Sequence, residues 1–176
     1  MIVRELTAAD ADWALGFLEA NAGSARMVSR GRLHQCDRLP GFYCEEGGVR
    51  TAILNYRIED GEMEVVTLYA GERGKGYGTA LLGSALERAR SLGCRRLWLI
   101  TTNDNTPALQ FYQRRGLRLA AVHHGAVDAA RRGLKPEIPL EGVGGVPIRD
   151  EMELEFFLIG RGCNARLRPA GGLEVE

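Results

Sequence analysis

The sequence predicts an α/β fold in which an antiparallel meander runs into a βαβ unit. Two hairpin signals, Gly47-Gly48 and Asp60-Gly61, separate segments of strand character. Beyond residue 70 the apolar period lengthens to that of a helix, with Leu82, Ala85, Leu86 and Ala89 on one face. Leu97, Trp98, Leu99 and Ile100 are then consecutive, as in a strand covered on both faces. Strand, glycine loop, helix and buried strand together make the βαβ unit.

Taken in order, residues 2–6 read as a short strand. Thr7 to Asp10 is a capping-box start, and Trp13, Phe17 and Leu18 share one face of the helix that follows. Residues 24–34 are expected as a second helix, broken near Gly31. Strands are expected at 42–46, 49–59 and 62–69. The helix over 78–92 ends at Gly93, whose lack of a Cβ suits a left-handed C-cap. A strand at 96–102 follows. Asn105-Thr-Pro107 is a helix entry with proline in the first turn, and Gly116 stops that helix. Residues 117–123 and 152–159 read as strands. Between them, 125–150 is a polar segment containing glycine and proline, with a short helix at 126–132. A single domain over 1–160 is expected, followed by a tail at 161–176.

The chain has 176 residues, 45% hydrophobic and 26% charged, with a net charge of zero. That composition reads as soluble and globular and gives no bulk attraction for nucleic acid or an anionic membrane. No apolar stretch reaches the 18 residues of a membrane span, and MIVRELTAAD is not a signal peptide. Cys36, Cys44, Cys94 and Cys163 form no Cys-x-x-Cys, so reduced thiols in a cytoplasmic protein are expected and no metal is. His123 and His124 are adjacent on a strand and point to opposite faces, so they cannot converge. Asp150, Glu151, Glu153 and Glu155 lack the histidine or spacing of a metal site.

Residues 72–82 read ERGKGYGTALL and open a helix. The first N–H groups of a helix lack intrahelical partners, and with the helix dipole they favour an anion such as a pyrophosphate. An ATP-type loop is excluded, because after Gly71 and Gly76 the lysine and hydroxyl positions hold Tyr77 and Gly78. A dinucleotide fingerprint is excluded too, because the glycines fall at 74, 76 and 78 and no carboxylate occurs from Arg88 to Asn103. What remains is R-x-x-G-x-G, filled by Arg73, Gly76 and Gly78. Downstream, NTPALQFYQRRGL at 105–117 has the order N-x-x-A-x-x-x-Y-x-x-x-G-[FL]. Together these two motifs resemble the GNAT superfamily of acetyl-CoA-dependent N-acetyltransferases. The resemblance is firm from about Val49 to Leu119 and looser before it. It ends after His123, where the family usually has a short hairpin and this chain has a long insertion.

The resemblance implies a mixed central sheet, mostly antiparallel, splayed at the βαβ unit that binds acetyl-CoA, with helices on both faces. It implies that Arg73, Lys75 and the amides of Gly74, Lys75, Gly76, Tyr77, Gly78 and Thr79 hold the pyrophosphate. Backbone groups at Val66 and Leu68 would bind the acetyl carbonyl and the pantetheine arm, which Asn105 would also meet while capping its helix. Tyr112 would stand beside the thioester sulfur. A thiol of pKa about 8.5 and a phenol near 10 make complete proton transfer uphill by about 2 kcal/mol, so hydrogen-bond donation is the favoured role.

The acceptor implied is a small-molecule or peptide primary amine. Such an amine, of pKa about 10.4, needs roughly 4.6 kcal/mol to lose its proton at pH 7, which a positioned base helps remove. Glu62 sits where some family members carry a catalytic glutamate, and Glu64 shares its face of the strand. The alternative is that both are solvated hairpin charges. The insertion is expected as a lid or wall over the acceptor, with Glu153 and Glu155 near a positively charged acceptor site. Its alternative is a surface loop or homodimer contact beside two solvated glutamates. The rival reading of the whole chain is a catalytically silent acyl-CoA-binding or sensing domain.

Overall fold

The computed structural model describes residues 1–72 and 74–158; Arg73 and residues 159–176, with Cys163 and the expected tail, lie outside the described residues. The elements are β1 (Ile2–Glu5), α1 (Ala11–Ala22), β2 (Arg26–Ser29), β3 (Arg32–Gln35), β4 (Gly41–Glu46), β5 (Val49–Glu59), β6 (Glu62–Ala70), α2 (Tyr77–Ser91), β7 (Arg96–Thr102), α3 (Thr106–Arg114), β8 (Arg118–His123), α4 (Ala126–Gly133) and β9 (Glu151–Phe157). Seven strands form a mixed sheet in the order β1-β4-β5-β6-β7-β9-β8. Only the β6–β7 pairing is parallel within it.

Helices cover both faces. Leu81, Leu82, Ala85, Leu86 and Ala89 of α2 bury against Leu54, Met63, Val65, Leu97, Leu99 and Leu154 of the sheet, with Tyr112 of α3 in the same cluster. On the other face Trp13, Ala14, Phe17 and Leu18 of α1 pack with Ile53, Val66 and Tyr69. The stripe that defined α2 in the sequence is thus its buried face, as a 3.6-residue period requires. Asp10 holds the approach to α1, its Oδ2 accepting from the Thr7 N–H at 2.8 Å and the Thr7 hydroxyl at 2.7 Å.

Residues 24–34 are not a helix. Arg30 and Gly31 both take positive φ, 46° and 71°, and close a two-residue turn between β2 and β3. The turn stops the helical period, and the pleat then sends Ser29 and His34 under the hairpin, where both are buried.

Two irregularities on β6 prepare the site. Asn55 pairs with Thr67 and Tyr56 with Val65, which leaves Val66 as the extra residue of a bulge. Val65 therefore faces the α2 side, Val66 the α1 side, and Leu68 the α2 side again. The parallel register to β7 also stops at Val65 opposite Leu99, although β6 runs on to Ala70 and β7 to Thr102. The sheet is open beyond that point.

The meander is tightly closed at Gly41. A Cβ there would lie 2.1 Å from the Leu54 carbonyl oxygen, which is backbone and cannot swing away. Gly41→Ala is expected to cost about 1–3 kcal/mol through strain in β4 and β5, read as a lower urea midpoint.

Candidate active site

A cavity of about 320 Å³ occupies the opening between β6 and β7. Val65, Val66, Thr67 and Leu68 form one wall, and Ile100, Thr101 and Thr102 form the other. Asn105, Ala108 and Tyr112 of the α3 segment close one side. Val127 and Ala130 of α4, then Lys135 and Ile138, close another, so the segment between β8 and β9 lies over the opening as a wall. Its helix starts where the sequence put it, and its irregular part is pinned by Arg131. That guanidinium donates to the carbonyls of Ile138 at 2.9 Å, Pro139 at 2.8 Å and Ile148 at 2.9 Å.

Tyr112 is 8% exposed, and its hydroxyl has no hydrogen-bond partner among the described residues. Burial pushes the phenol up to about 12 against the nearby Arg115 charge. It is therefore protonated at every working pH and faces the cavity as a donor. Asn105 caps α3 by accepting the Ala108 N–H on Oδ1 at 3.2 Å, which leaves its NH₂ free of that bond.

The glycine loop leads directly into α2. Gly74 and Gly76 both have φ of 82°, and Gly76 is the N-cap, with no side-chain cap on the first N–H groups. Gly78 serves a different purpose: a Cβ there would meet Phe111 at 3.0 Å and Leu68 at 3.4 Å, so its absence lets α2, α3 and β6 approach closely. Lys75 is exposed and pairs loosely with Glu72 at 3.8 Å. Arg73 lies outside the described residues. Two side chains of this motif are already hydrogen-bonded within the chain. The Tyr77 hydroxyl donates to Glu46 at 2.7 Å under the sheet edge, and the Thr79 hydroxyl accepts from Arg115 at 2.6 and 2.9 Å.

The acidic residues divide differently from the sequence expectation. Glu62 begins β6, away from the opening, and is gripped by Arg96 at 2.7 Å and Arg95 at 2.9 Å. Burial works to raise its carboxyl, but the two guanidiniums outweigh it and hold it below the usual range. A carboxylate so paired is a weak base, and Glu62 is absent from the cavity lining. Glu64, 2% exposed, is also outside that lining; it accepts from the Ser29 hydroxyl and from Arg57, and Ser29 contacts His34 Nε2 at 3.0 Å. Neither residue is a solvated hairpin charge.

Glu153 and Glu155 are also answered from within the chain. Arg96 Nη1 donates to Glu153 at 3.0 Å and Glu155 at 2.8 Å, and His123 Nε2 lies 2.8 Å from Glu153. The cation anticipated for them from an acceptor is Arg96, because β9 lies beside β7 and puts Glu155 and Glu153 alongside Trp98 and Ile100. His124 lies past the end of β8, in the turn before α4, and is exposed. The carboxylate that does line the cavity is Glu151, and among the described residues the only other charged lining side chain is Lys135. Sequence reasoning reached Glu151 only as part of a rejected metal site. Its one available signal was the shared phase with Glu153 and Glu155, which does not tell which of the three lacks a cation.

Cys36, Cys44 and Cys94 are buried free thiols; burial pushes Cys36 up to about 12 and Cys44 to about 11, so neither of these two is a nucleophile at neutral pH. Among the described residues, no cluster of His, Cys, Asp and Glu can hold a metal ion, and no helix is long and apolar enough to cross a membrane.

A seven-stranded mixed sheet, opened beside a glycine-entered helix with a tyrosine over the gap, defines an acyl-CoA-dependent transferase of the kind the two motifs suggested. The acetyltransferase (GNAT) family model matches residues 11–117, and the chain belongs to that family of acetyl-CoA-dependent enzymes. The Bacillus subtilis (strain 168) protein YdhI, itself uncharacterized, is 42% identical over 137 residues, 77% of this chain and 85% of YdhI. Among solved structures, the IAA acetyltransferase from Bacillus cereus ATCC 14579 superposes with a TM-score of 0.69 at 20% identity, over 89% of this chain and 99% of that one. A GNAT family acetyltransferase from Elizabethkingia anophelis with acetyl-CoA bound gives 0.62 at 16% identity, over 89% and 97%. Likeness at this level of identity supports the shared fold.

Proposed function

We propose that the enzyme transfers the acetyl group directly to a primary amine within a ternary complex. The observation that carries this reading is the convergence of Val66 and Tyr112 on one cavity, at the point where β6 and β7 part. In this reading the pantetheine arm runs along Leu68 and Asn105, and the pyrophosphate meets the amides from Gly74 to Thr79, with Arg73 and Lys75 adding charge. The bulge frees Val66 from regular pairing, and its N–H polarises the acetyl carbonyl and stabilises the developing oxyanion. The Tyr112 hydroxyl donates a hydrogen bond to the departing sulfur. The absence of a hydroxyl partner within the described chain supports a ligand partner there.

The deciding experiment supplies acetyl-CoA with polyamines, amino acids, aminoglycosides and peptide N-termini in turn. Thiol release and product mass are followed together. Amine-dependent release with a singly acetylated product is expected. Tight acetyl-CoA binding without amine-dependent release from any of them would favour a silent binding domain instead.

The loop assignment has its own test. At Gly76 a Cβ meets open space, but φ of 82° disfavours a β-branched residue. Gly76→Val is therefore expected to distort the loop without disturbing the core. A rise of about tenfold or more in the acetyl-CoA Kd by calorimetry, in a protein of near-normal melting temperature, is the expected result. Unchanged affinity would remove the loop from the binding site.

A further inference from the structure

We infer that Glu151 is the residue that receives the acceptor's ammonium group, and that the acceptor reaches it through a second cavity beneath α4. This deepens the amine-transfer reading above and rests on it. Glu62, Glu64, Glu151, Glu153 and Glu155 all lie on the sheet face opposite α2. Four of them have a guanidinium: Glu62 has Arg95 and Arg96, Glu64 has Arg57, Glu153 has Arg96 and Arg30, and Glu155 has Arg96. Glu151 has none among the described residues. It is 3% exposed, its Oε2 accepts the Arg30 N–H at 2.9 Å, and its Oε1 receives no hydrogen bond among the described residues. A buried carboxylate left without an ion-pair partner is costly; it either keeps its proton or takes up a ligand that carries a cation.

The surroundings say where that ligand comes from. A cavity of about 350 Å³ lies on the far side of Glu151, lined by Arg30, Gly31, His123, Ala126, Ala129, Ala130, Leu134 and Glu151. It shares Glu151 and Ala130 with the cleft that holds Val66 and Tyr112. Glu151 thus forms part of the wall between two spaces, one fitted to the thioester and the other entered past the small side chains of α4. Three alanines and Leu134 suit a slim aliphatic arm, and the carboxylate suits its terminal ammonium. The β2–β3 turn is held against this wall by the Arg30 N–H.

One ammonium proton passes to Glu151 Oε1. The freed nitrogen lone pair then forms the C–N bond as the C–S bond breaks. A second nitrogen proton ends on the departing sulfur, giving the thiol, and Glu151 returns its proton to solvent.

The titratable groups that act on Glu151 are Arg30 from the turn, His123 from β8 and Glu64 from β6; Lys135 lines the same cleft, its ammonium donating to the Arg26 carbonyl. Burial pushes the Glu151 carboxyl above its usual range; the Arg30 N–H, His123 and the Arg30 charge oppose the rise, and Glu64 adds to it. A carboxyl raised in this way stabilises the fold only while protonated. Its contribution is lost as pH rises from the ordinary carboxylate range through the raised value. Glu151→Gln is therefore expected to melt no lower than the natural chain at pH 7, whereas loss of a structural carboxylate would lower melting.

The test reads binding apart from turnover. n-Butylammonium and, separately, n-butanol are titrated into the coenzyme A-saturated protein and followed by ligand-observed NMR. The natural chain is expected to prefer the ammonium by about tenfold or more, and Glu151→Gln to erase the preference. Ala129→Phe, which narrows the exposed side of the second cavity, is expected to weaken both probes and leave acetyl-CoA affinity unchanged. No preference in the natural chain, or a preference that survives Glu151→Gln, overturns the inference. Selectivity lost in Glu151→Gln but no acetylated amine in the panel leaves the site standing and removes amine transfer. Amine turnover with selectivity intact in Glu151→Gln does the reverse.

Discussion

Tyr112→Phe is expected to lower kcat by about 10²-fold while changing acetyl-CoA affinity by no more than about twofold. The phenyl ring keeps the packing of α3 against β6 and α2, because Tyr112 sits in their common apolar cluster. Only the hydroxyl is lost, and it has no hydrogen-bond partner among the described residues to leave unsatisfied. What disappears, in the proposed role, is the hydrogen bond to sulfur, which strengthens as the thiolate forms and so belongs to the transition state. Because burial holds the phenol at about 12, its proton is present throughout the accessible pH range. The variant should therefore lower the pH–rate profile without moving its limbs. A basic limb that vanished in Tyr112→Phe would mean that the tyrosine transfers its proton outright. An unchanged kcat would remove Tyr112 from the chemistry.

Arg57→Met is expected to destabilise the protein by about 3 kcal/mol or more, the cost of leaving a buried carboxylate unpaired. Glu64 is 2% exposed and Arg57 is the guanidinium that meets it. The Ser29 hydroxyl also donates to Glu64, but it is neutral and cannot balance the charge. Adding Glu64→Gln to Arg57→Met is expected to recover about half of the loss, because the buried charge is then gone as well. Urea unfolding of the single and double variants checks both numbers. Equal stability of Arg57→Met and the natural chain would show that solvent reaches Glu64. Because Ser29 and His34 join the same buried chain of contacts, the β2–β3 hairpin that carries Arg30 to Glu151 is expected to loosen with it.

Much of this protein was legible one segment at a time. The two hairpins, α2 with its buried stripe, the run from Leu97 to Ile100 and the entry of α3 at Asn105 are local: each depends on period, capping or turn chemistry within a few residues. The two motifs that identify the family are local too, since each is a set of residues at fixed spacing within a dozen positions. Residues 24–34 were misread because two four-residue strands joined by a turn carry too few residues for a period to show. There, burial against the sheet decided the outcome over propensity.

The sequence by itself determined the family, the order of the elements and the position of the glycine loop, because these are written in contiguous residues. It also determined that β9 carries Glu151, Glu153 and Glu155 in one phase. Only the tertiary structure decided which of them has a cation, because charge partners come from strands far apart in the chain. Arg96 reaches Glu62 because β6 lies on one side of β7, and Glu153 and Glu155 because β9 lies on the other. Glu151, one pleat beyond Glu153, meets the Arg30 N–H from a hairpin more than a hundred residues earlier and opens onto both cavities. An alternating sequence fixes the face on which a side chain lies; the neighbours it finds there are set by strand order, and with them its charge balance and its role.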